Sequence, residues 1–327
     1  MNSKILFWLL TTVLLTTAPL AQAQQAGKVL RIGFLVNSTA SGMAVLVDAF
    51  RQELSKLGWI EGKNLTIEHR FAEQKPERLP ELAADLVRRK VDLIVVTDTP
   101  TALASKSATA TIPIVIASAV DPVGAGLVAS LARPGGNITG FSNLGSELNT
   151  KRLEILKDAI PKLARVGLLR PAGGSDRQLK ELRPAALHLK LKLEEIDTQF
   201  SDAKGLEIAF QTAKQKQVKA IMTTAGQRFF AERKRIVELA GKYKLPAIYF
   251  QKEFVDEGGL MSYGVDYTDL YRKAAHYVDR ILKGTKPADL PVQQAMRTEF
   301  IISLPAAKRI GYTVPWELLA RANQVIK

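Results

Sequence analysis

Short apolar runs alternate with amphipathic segments along the first half of the chain. Between the runs, apolar residues recur three or four positions apart, as they do on one face of a helix. This alternation predicts β-α-β units, which build parallel sheets covered by helices on both faces. The predicted strands are Val29–Val36, Leu65–Phe71, Asp92–Val96 and Ile112–Ala117.

The second half of the chain repeats the same order of strands and helices. Its predicted strands are Arg165–Leu169, Leu191–Ile196, Val218–Thr223 and Leu245–Phe250. Two copies of one pattern predict an α/β protein with two doubly wound, Rossmann-like lobes. Ligands bind beyond the carboxyl ends of the strands in such sheets. We therefore expect one cleft between the lobes, lined by the loops that follow the strands.

Composition narrows the chemistry that this cleft can perform. The 327 residues include no cysteine, which excludes disulfides, iron–sulfur clusters and a cysteine nucleophile. The three histidines, His69, His188 and His276, show no metal-ligand spacing. We expect no metal and no cofactor. The formal charge is +14, and most of the excess lies in the second half.

The N-terminus has the pattern of a secretory signal peptide at residues 1–23. Lys4 precedes the apolar run Ile5–Leu15, and Ala21-Gln22-Ala23 forms a small-residue cleavage site. This run is shorter than the roughly 20 residues that span a bilayer. We expect cleavage after Ala23 and a periplasmic protein. Export, together with basic residues that are interspersed with acidic ones, argues against nucleic-acid binding.

Small polar residues follow the predicted strands and are candidates to line the cleft. Thr99 with Pro100 is typical of a helix N-cap and first helical residue, and the free N–H groups there suit an anion. A plain helix cap explains the same pair. The candidates are Ser38, Thr39, Thr97, Thr99, Thr101 and Asp121 from the first lobe, and Gly173, Ser175, Thr224, Gln227 and Phe250 from the second.

Motifs of known catalytic sites are missing from the sequence. There is no G-x-S-x-G or Walker A pattern, and no nucleophile with a base beside it. The stretch Gly124–Ala129 matches a loose dinucleotide fingerprint, but it follows a fourth strand and lacks the ribose-binding acid downstream. We expect a protein that is not an enzyme.

Several motifs together resemble the solute-binding proteins of ABC transporters, in the subfamily with tryptophan- and tyrosine-binding members. They are Asp121–Val128, Leu131–Gly140, Glu257–Gly264, Arg280–Leu290 and Gly311–Pro315. The resemblance covers nearly all of the mature chain. It implies the type I periplasmic binding protein fold, with three hinge crossings between the lobes. The expected lobes are 24–142 plus 263–292, and 143–262 plus 293–327.

The resemblance also implies how a ligand is held. Aromatic amino acids are bound in such proteins by helix-end amides, small hydroxyls and an acid. It adds Ser142 and Asn143 at the first crossing and Asp266 after the second. Family members often carry an Asp after the third strand of the second lobe, where this chain has Thr224-Ala225-Gly226. An amino acid, an uncharged solute and an anionic solute therefore all stay open.

The function implied is the extracytoplasmic solute-binding component of an ABC importer. Its expected partners are a small-molecule solute, held in the cleft, and a membrane permease that receives it. The protein is expected to be a monomer. Two alternatives stay open at this point: a ligand-sensing module for a membrane receptor, and an exported enzyme on the same scaffold.

Overall fold

The computed structural model describes residues 29–174, 176–200, 203–295 and 297–327. The predicted signal peptide at 1–23 and the candidate Ser175 lie outside these ranges. The described residues form two α/β lobes, each built on its own sheet. No helix within these ranges has both the length and the apolar character that crossing a membrane requires.

Two sheets organise the strands of the described residues. The first has the order β11-β5-β4-β3-β1-β2 and is parallel throughout. The second has the order β13-β12-β10-β9-β8-β6-β7, and only β10 and β12 pair antiparallel. The strands are β1 (Leu30–Val36), β2 (Leu65–Phe71), β3 (Leu93–Val96), β4 (Ile114–Ala119), β5 (Ile138–Ser142), β6 (Arg165–Pro171), β7 (Lys192–Thr198), β8 (Ala220–Thr223), β9 (Ala247–Tyr249), β10 (Met261–Val265), β11 (Gln293–Gln294), β12 (Thr298–Ser303) and β13 (Gln324–Ile326).

Helices connect the parallel strands, as the alternating pattern predicts. They are α1 (Ala40–Lys56), α2 (Leu79–Arg88), α3 (Thr99–Ala108), α4 (Gly145–Ala159), α5 (Leu182–His188), α6 (Ala203–Gln215), α7 (Gln227–Ala231), α8 (Arg233–Lys242), α9 (Glu253–Asp256), α10 (Tyr267–Leu282), α11 (Leu304–Ile310) and α12 (Trp316–Arg321). The predicted fold class, two doubly wound lobes, is confirmed, and each predicted strand is present with its ends shifted by at most a few residues.

Each sheet buries apolar side chains on both faces. In the first lobe, α2 and α3 cover one face and α1 and α10 the other. In the second, α4, α5 and α11 cover one face, and α6 and α8 the other. One apolar cluster continues from Met43 of α1 to Phe229 and Phe230 of α7. The lobes therefore contact each other through part of their cores.

The chain passes between the lobes three times. Residues 263–265, which the predicted bounds assign to the first lobe, pair with β12 in the second sheet. Residues 293–294, assigned to the second lobe, pair with β5 in the first. The second and third crossings therefore lie near Asp266 and between Gln294 and Thr298. The lobe bounds as a whole stay a prediction.

The segment between these two crossings returns to the first lobe. Trp59 Nε1 donates to Asp279 Oδ1 of α10 at 2.8 Å. Farther along, Thr139 Oγ1 of β5 donates to the Leu290 carbonyl at 2.6 Å. Both bonds join residues far apart in sequence, and they hold α10 and the following turn against the first lobe.

The first crossing follows β5, and one position of this strand accepts only glycine. Gly140 of β5 has φ +137°, and a Cβ there would lie 2.1 Å from the Ile116 carbonyl oxygen. Any side chain would push β5 away from β4. Glycine thereby keeps these two strands paired where the chain turns toward the second lobe.

Candidate functional site

A large cavity lies between the lobes, beyond the carboxyl ends of the strands. Its volume is about 780 Å³, within the range of small-molecule sites. Loops after β3 and β4 contribute one wall, and loops after β6, β8 and β9 contribute the other. The geometry that the strand order predicts is therefore present.

Half of the candidates from the sequence line this cleft. They are Thr97, Thr99 and Asn143 on one side, and Gly173, Thr224, Gln227 and Phe250 on the other. Several of these side chains already have protein partners. Thr99 Oγ1 donates to the Val120 carbonyl at 3.1 Å, and Asn143 Nδ2 donates to Ser118 Oγ at 2.8 Å. These two residues shape the wall, and their hydroxyl and amide groups are partly occupied.

The structure places the remaining described candidates away from the cleft lining. Ser38 is buried, Ser142 lies in β5, Thr39 and Asp266 cap α1 and α10, Thr101 belongs to the cap of α3, and Asp121 accepts from the Gly124 N–H at 2.9 Å. Local backbone capping therefore accounts for most of these polar side chains.

The cap of α3 differs from the prediction. Asp98, and not Thr99, is the N-cap residue: its Oδ1 accepts from the Thr101 N–H at 2.9 Å, and Thr101 Oγ1 accepts from the Asp98 N–H at 3.0 Å. Pro100 is consequently the second helical residue. An aspartate competes for the cap position as well as a threonine does, and its reciprocal bond with Thr101 decides the competition here.

Asp98 also lines the cleft, although it is not among the candidates from the sequence. Its Oδ2 accepts from Asn37 Nδ2 at 3.1 Å. Burial raises the pKa of the Asp98 carboxyl, and the hydrogen bonds from Thr101 and Asn37 only partly oppose this. Among the described residues no Lys, Arg or His forms an ion pair with it. The first-lobe wall thus presents an acid without a protein counter-ion.

Tyr271 of α10 faces the same wall. Its side chain is 1% exposed and its hydroxyl, beside Thr97 and Asp98, meets hydrogen-bond geometry with neither. Burial raises the pKa of this hydroxyl well above its usual value, so it stays protonated. A helical pattern over 267–283 predicts the helix but not that this face turns toward the cleft.

The opposite wall is formed by a loop held in place by Gln178. Gln178 Nε2 donates to the Ala225 carbonyl at 2.7 Å, and Gln178 Oε1 accepts from the Ala225 N–H at 2.9 Å. These two bonds fix the loop between Thr224 and Gln227 without occupying either side chain. Phe250 packs edge-on against Tyr267, with ring centroids 5.9 Å apart, and both residues line the cleft.

Unpaired polar atoms converge on the cleft from both lobes. Buried side-chain polar atoms almost always find a hydrogen-bond partner. Five buried residues of this lining nevertheless have a polar atom without a partner in the described structure: Asn37, Thr224, Gln227, Gln251 and Tyr271. A bound polar solute would supply the missing partners.

The lobes also contact each other outside the cleft. Gln74 Nε2 donates to Glu232 Oε1 at 2.8 Å, and Arg233 Nη1 donates to the Gly42 carbonyl at 3.2 Å. Gly42 lies so close to Ala231 that a Cβ on Gly42 would be 2.4 Å from the Ala231 Cβ. The structure is therefore that of the closed arrangement of the lobes.

Two doubly wound lobes closed on one cleft define a bilobal solute-binding protein. Its fold is that of the type I periplasmic binding proteins, with structural neighbours such as a solute-binding protein from Agrobacterium vitis. The family model described as ABC transporter substrate binding protein matches residues 32–326. The chain belongs to this family, and the resemblance seen in the sequence is confirmed.

Similar proteins include binders of aromatic amino acids. A tyrosine-binding protein from Clostridioides difficile (strain R20291) is 29% identical over 263 residues, covering 80% of this chain and 75% of the relative. An ABC domain from Streptococcus pneumonia, solved in complex with L-Trp, has a TM-score of 0.80 at 26% identity and covers 91% of this chain and 99% of its own.

A third similar structure helps to define the conformation. It is the ligand-free, open structure of a substrate-binding protein with adhesive properties from Clostridium difficile, also 26% identical, covering 91% of this chain and 99% of its own. Its TM-score is only 0.62. At equal identity and coverage, the lobes of this chain match the arrangement in the L-Trp complex better, in agreement with the contacts between the lobes.

Proposed function

We propose that the protein is the extracytoplasmic, non-catalytic binding component of an ABC importer and delivers one small solute to a membrane permease. The observation that carries this proposal is the set of unpaired polar atoms that meet in one cleft from both lobes. We further propose that the protein acts as a monomer, that it is exported by its N-terminal signal, and that the lobes divide near the predicted bounds.

Binding from both lobes is what couples the solute to closure. A ligand shifts the open–closed equilibrium only when it binds the closed form better. Tyr271 and Asn37 lie on the first lobe, whereas Thr224, Gln227 and Gln251 lie on the second. A solute that satisfies both groups is fully bound only when the lobes are closed. The permease then has a distinct form to recognise.

An aromatic amino acid is the leading candidate for the solute. The relatives named above bind tyrosine or tryptophan, and Asp98 offers an acid without a counter-ion in the first lobe. This acid takes the place of the Asp that the second lobe lacks at Thr224-Ala225-Gly226. An ammonium group beside Asp98 would compensate the buried charge, and the rings of Phe250 and Tyr267 would contact an aromatic side chain.

Substitution of Thr224 should weaken solute binding without lowering the stability of the fold. Its hydroxyl has no protein partner, so Thr224→Val removes no hydrogen bond from the unliganded protein. We expect an unchanged or higher melting temperature without solute. Solutes from a thermal-shift screen of amino acids and other small molecules should bind about 3- to 10-fold more weakly by calorimetry, the effect of one lost hydrogen bond.

Thr313→Val is the matched control, because Thr313 is exposed far along the chain from the cleft loops. Its affinity for the same solutes should equal that of the wild type. Solute binding that is equally tight in wild type and in Thr224→Val would contradict the proposal that solutes bind in this cleft. Turnover of a bound solute would instead support an enzyme.

A further inference from the structure

Among the residues that the structure describes, one cation on the cleft wall, Arg228, has no counter-ion. Arg228 belongs to α7 of the second lobe and lines the cavity. Its guanidinium carbon lies 4.5 Å from the centroid of the Phe200 ring, so the ring supports the guanidinium from one side. Its Nε has no hydrogen-bond partner among the described residues. The side chain is thus held in place by an aromatic ring and not by an acid.

Two other arginines of the second lobe, Arg170 in the cleft lining and Arg233 on the helix after α7, are neutralised by acids. Arg170 forms ion pairs with Asp176 and Glu195 at 2.9 Å and with Asp197 at 3.4 Å. Arg233, on the neighbouring helix, pairs with Glu257 at 3.4 Å. In the described residues Arg228 forms no such pair, and only the more distant Glu77 stabilises its charge. Partial burial therefore lowers the pKa of Arg228.

The apolar surroundings of Arg228 would strengthen its charge interaction with an anion. The first-lobe wall of the same cavity includes the apolar side chains of Leu79, Pro80 and Leu103. Charge interactions strengthen where apolar walls exclude water. A guanidinium offers a fork of N–H donors that matches the two oxygens of a carboxylate. An anion placed here would gain a charge-assisted bond and would relieve the desolvated cation.

We propose that Arg228 is a specificity-determining residue that receives the anionic group of the solute, so that the solute class is an organic acid with an apolar body. This inference rests on the proposed function. It includes amino acids, whose carboxylate would meet Arg228, and it excludes neutral sugars, amides and amines without an acid group. The acid is recognised by a side chain of the second lobe, which couples its charge to closure.

The test compares carboxylates with their own amides. The probes are L-tyrosine and L-tyrosinamide, L-tryptophan and L-tryptophanamide, and 3-(4-hydroxyphenyl)propanoate and its amide, together with any solute that co-purifies with the chain. Calorimetry is carried out on the wild type, Arg228→Gln and Arg228→Lys. Arg235→Gln is the matched control, because Arg235 is an exposed arginine on the adjacent α8.

We expect the wild type to bind at least one carboxylate about tenfold or more tighter than its amide. Arg228→Gln should reduce this ratio to near one, Arg228→Lys should retain part of it, and Arg235→Gln should leave it unchanged. An unchanged ratio in Arg228→Gln, a wild type that binds amides as well as acids, or a co-purified solute without an acid group would each overturn this inference alone. A wild type that binds no probe and carries no solute would overturn the proposed function with it.

Discussion

The contact between Gly42 and Ala231 provides a way to block closure without altering the cleft. Gly42 lies in α1 of the first lobe and Ala231 in α7 of the second, and neither lines the cavity. A Cβ on Gly42 would lie 2.4 Å from the Ala231 Cβ and 2.9 Å from its Cα. Carbon atoms prefer separations of about 3.5–4.0 Å, so the lobes would have to separate by about 1 Å or more.

Gly42→Ala should therefore weaken solute binding. Overpacking of this kind costs about 1–3 kcal/mol, which corresponds to roughly a 5- to 150-fold loss of apparent affinity. The same change favours α1 itself by about 0.5–1 kcal/mol, because alanine loses less backbone freedom in a helix than glycine does. The Cβ would also lie 2.9 Å from Thr39 Oγ1, a contact within one lobe that is common to the open and closed forms.

The measurements are calorimetry for affinity and differential scanning fluorimetry without solute for stability. We expect weaker binding together with an unchanged or higher melting temperature. Adding Ala231→Gly removes the facing methyl group and should restore part of the affinity. Equal affinity in wild type and Gly42→Ala would refute the reasoning, since closure would then not bring these helices together.

Three further predictions concern stability and processing. Asn can also cap a helix, so Asp98→Asn should raise the melting temperature at neutral pH. Because burial raises the pKa of Asp98, this advantage should shrink as the pH falls and the wild-type carboxyl becomes protonated. A difference in melting temperature that does not change with pH would contradict this prediction. Arg152 is 1% exposed, and its Nε donates to the Tyr263 carbonyl at 2.7 Å. Arg152→Ala should therefore lower the free energy of unfolding by about 3 kcal/mol in chemical denaturation, whereas Arg183→Ala, at an exposed position, should lower it by less than about 1 kcal/mol. Equal losses in the two variants would contradict a stabilising role for the buried Arg152. Mass spectrometry of the exported chain should find Gln24 as its first residue, and an intact N-terminus would show that the signal is not cleaved.

The strands were predictable because of where they lie. A strand buried on both faces needs a continuous apolar run, and Leu93–Val96 and residues 114–117 are such runs. The order of strands and helices then leaves few topologies, since β-α-β connections are almost always right-handed. The cleft position followed from this topology alone.

The site residues were harder to predict because they depend on contacts between distant segments. Tyr271 reaches the cleft only because α10 returns to the first lobe, where it packs against α1 and β4. Arg228 differs from Arg170 only in its neighbours, which are an aromatic ring in one case and three acids in the other. Neither relation is encoded in local spacing. Asp98 carried a usable signal, since an Asp three residues before Thr101 is itself a helix-cap pattern.

Native mass spectrometry of the freshly purified protein tests most directly whether the cleft binds a solute. We expect a species heavier than the chain by the mass of one small acidic solute. Unfolding and refolding should remove this mass, and adding the identified solute back should restore it in the wild type and to a lesser extent in Thr224→Val. A chain that shows only its own mass, before and after exposure to the solutes of the screen, would contradict the claim that the cleft binds a solute.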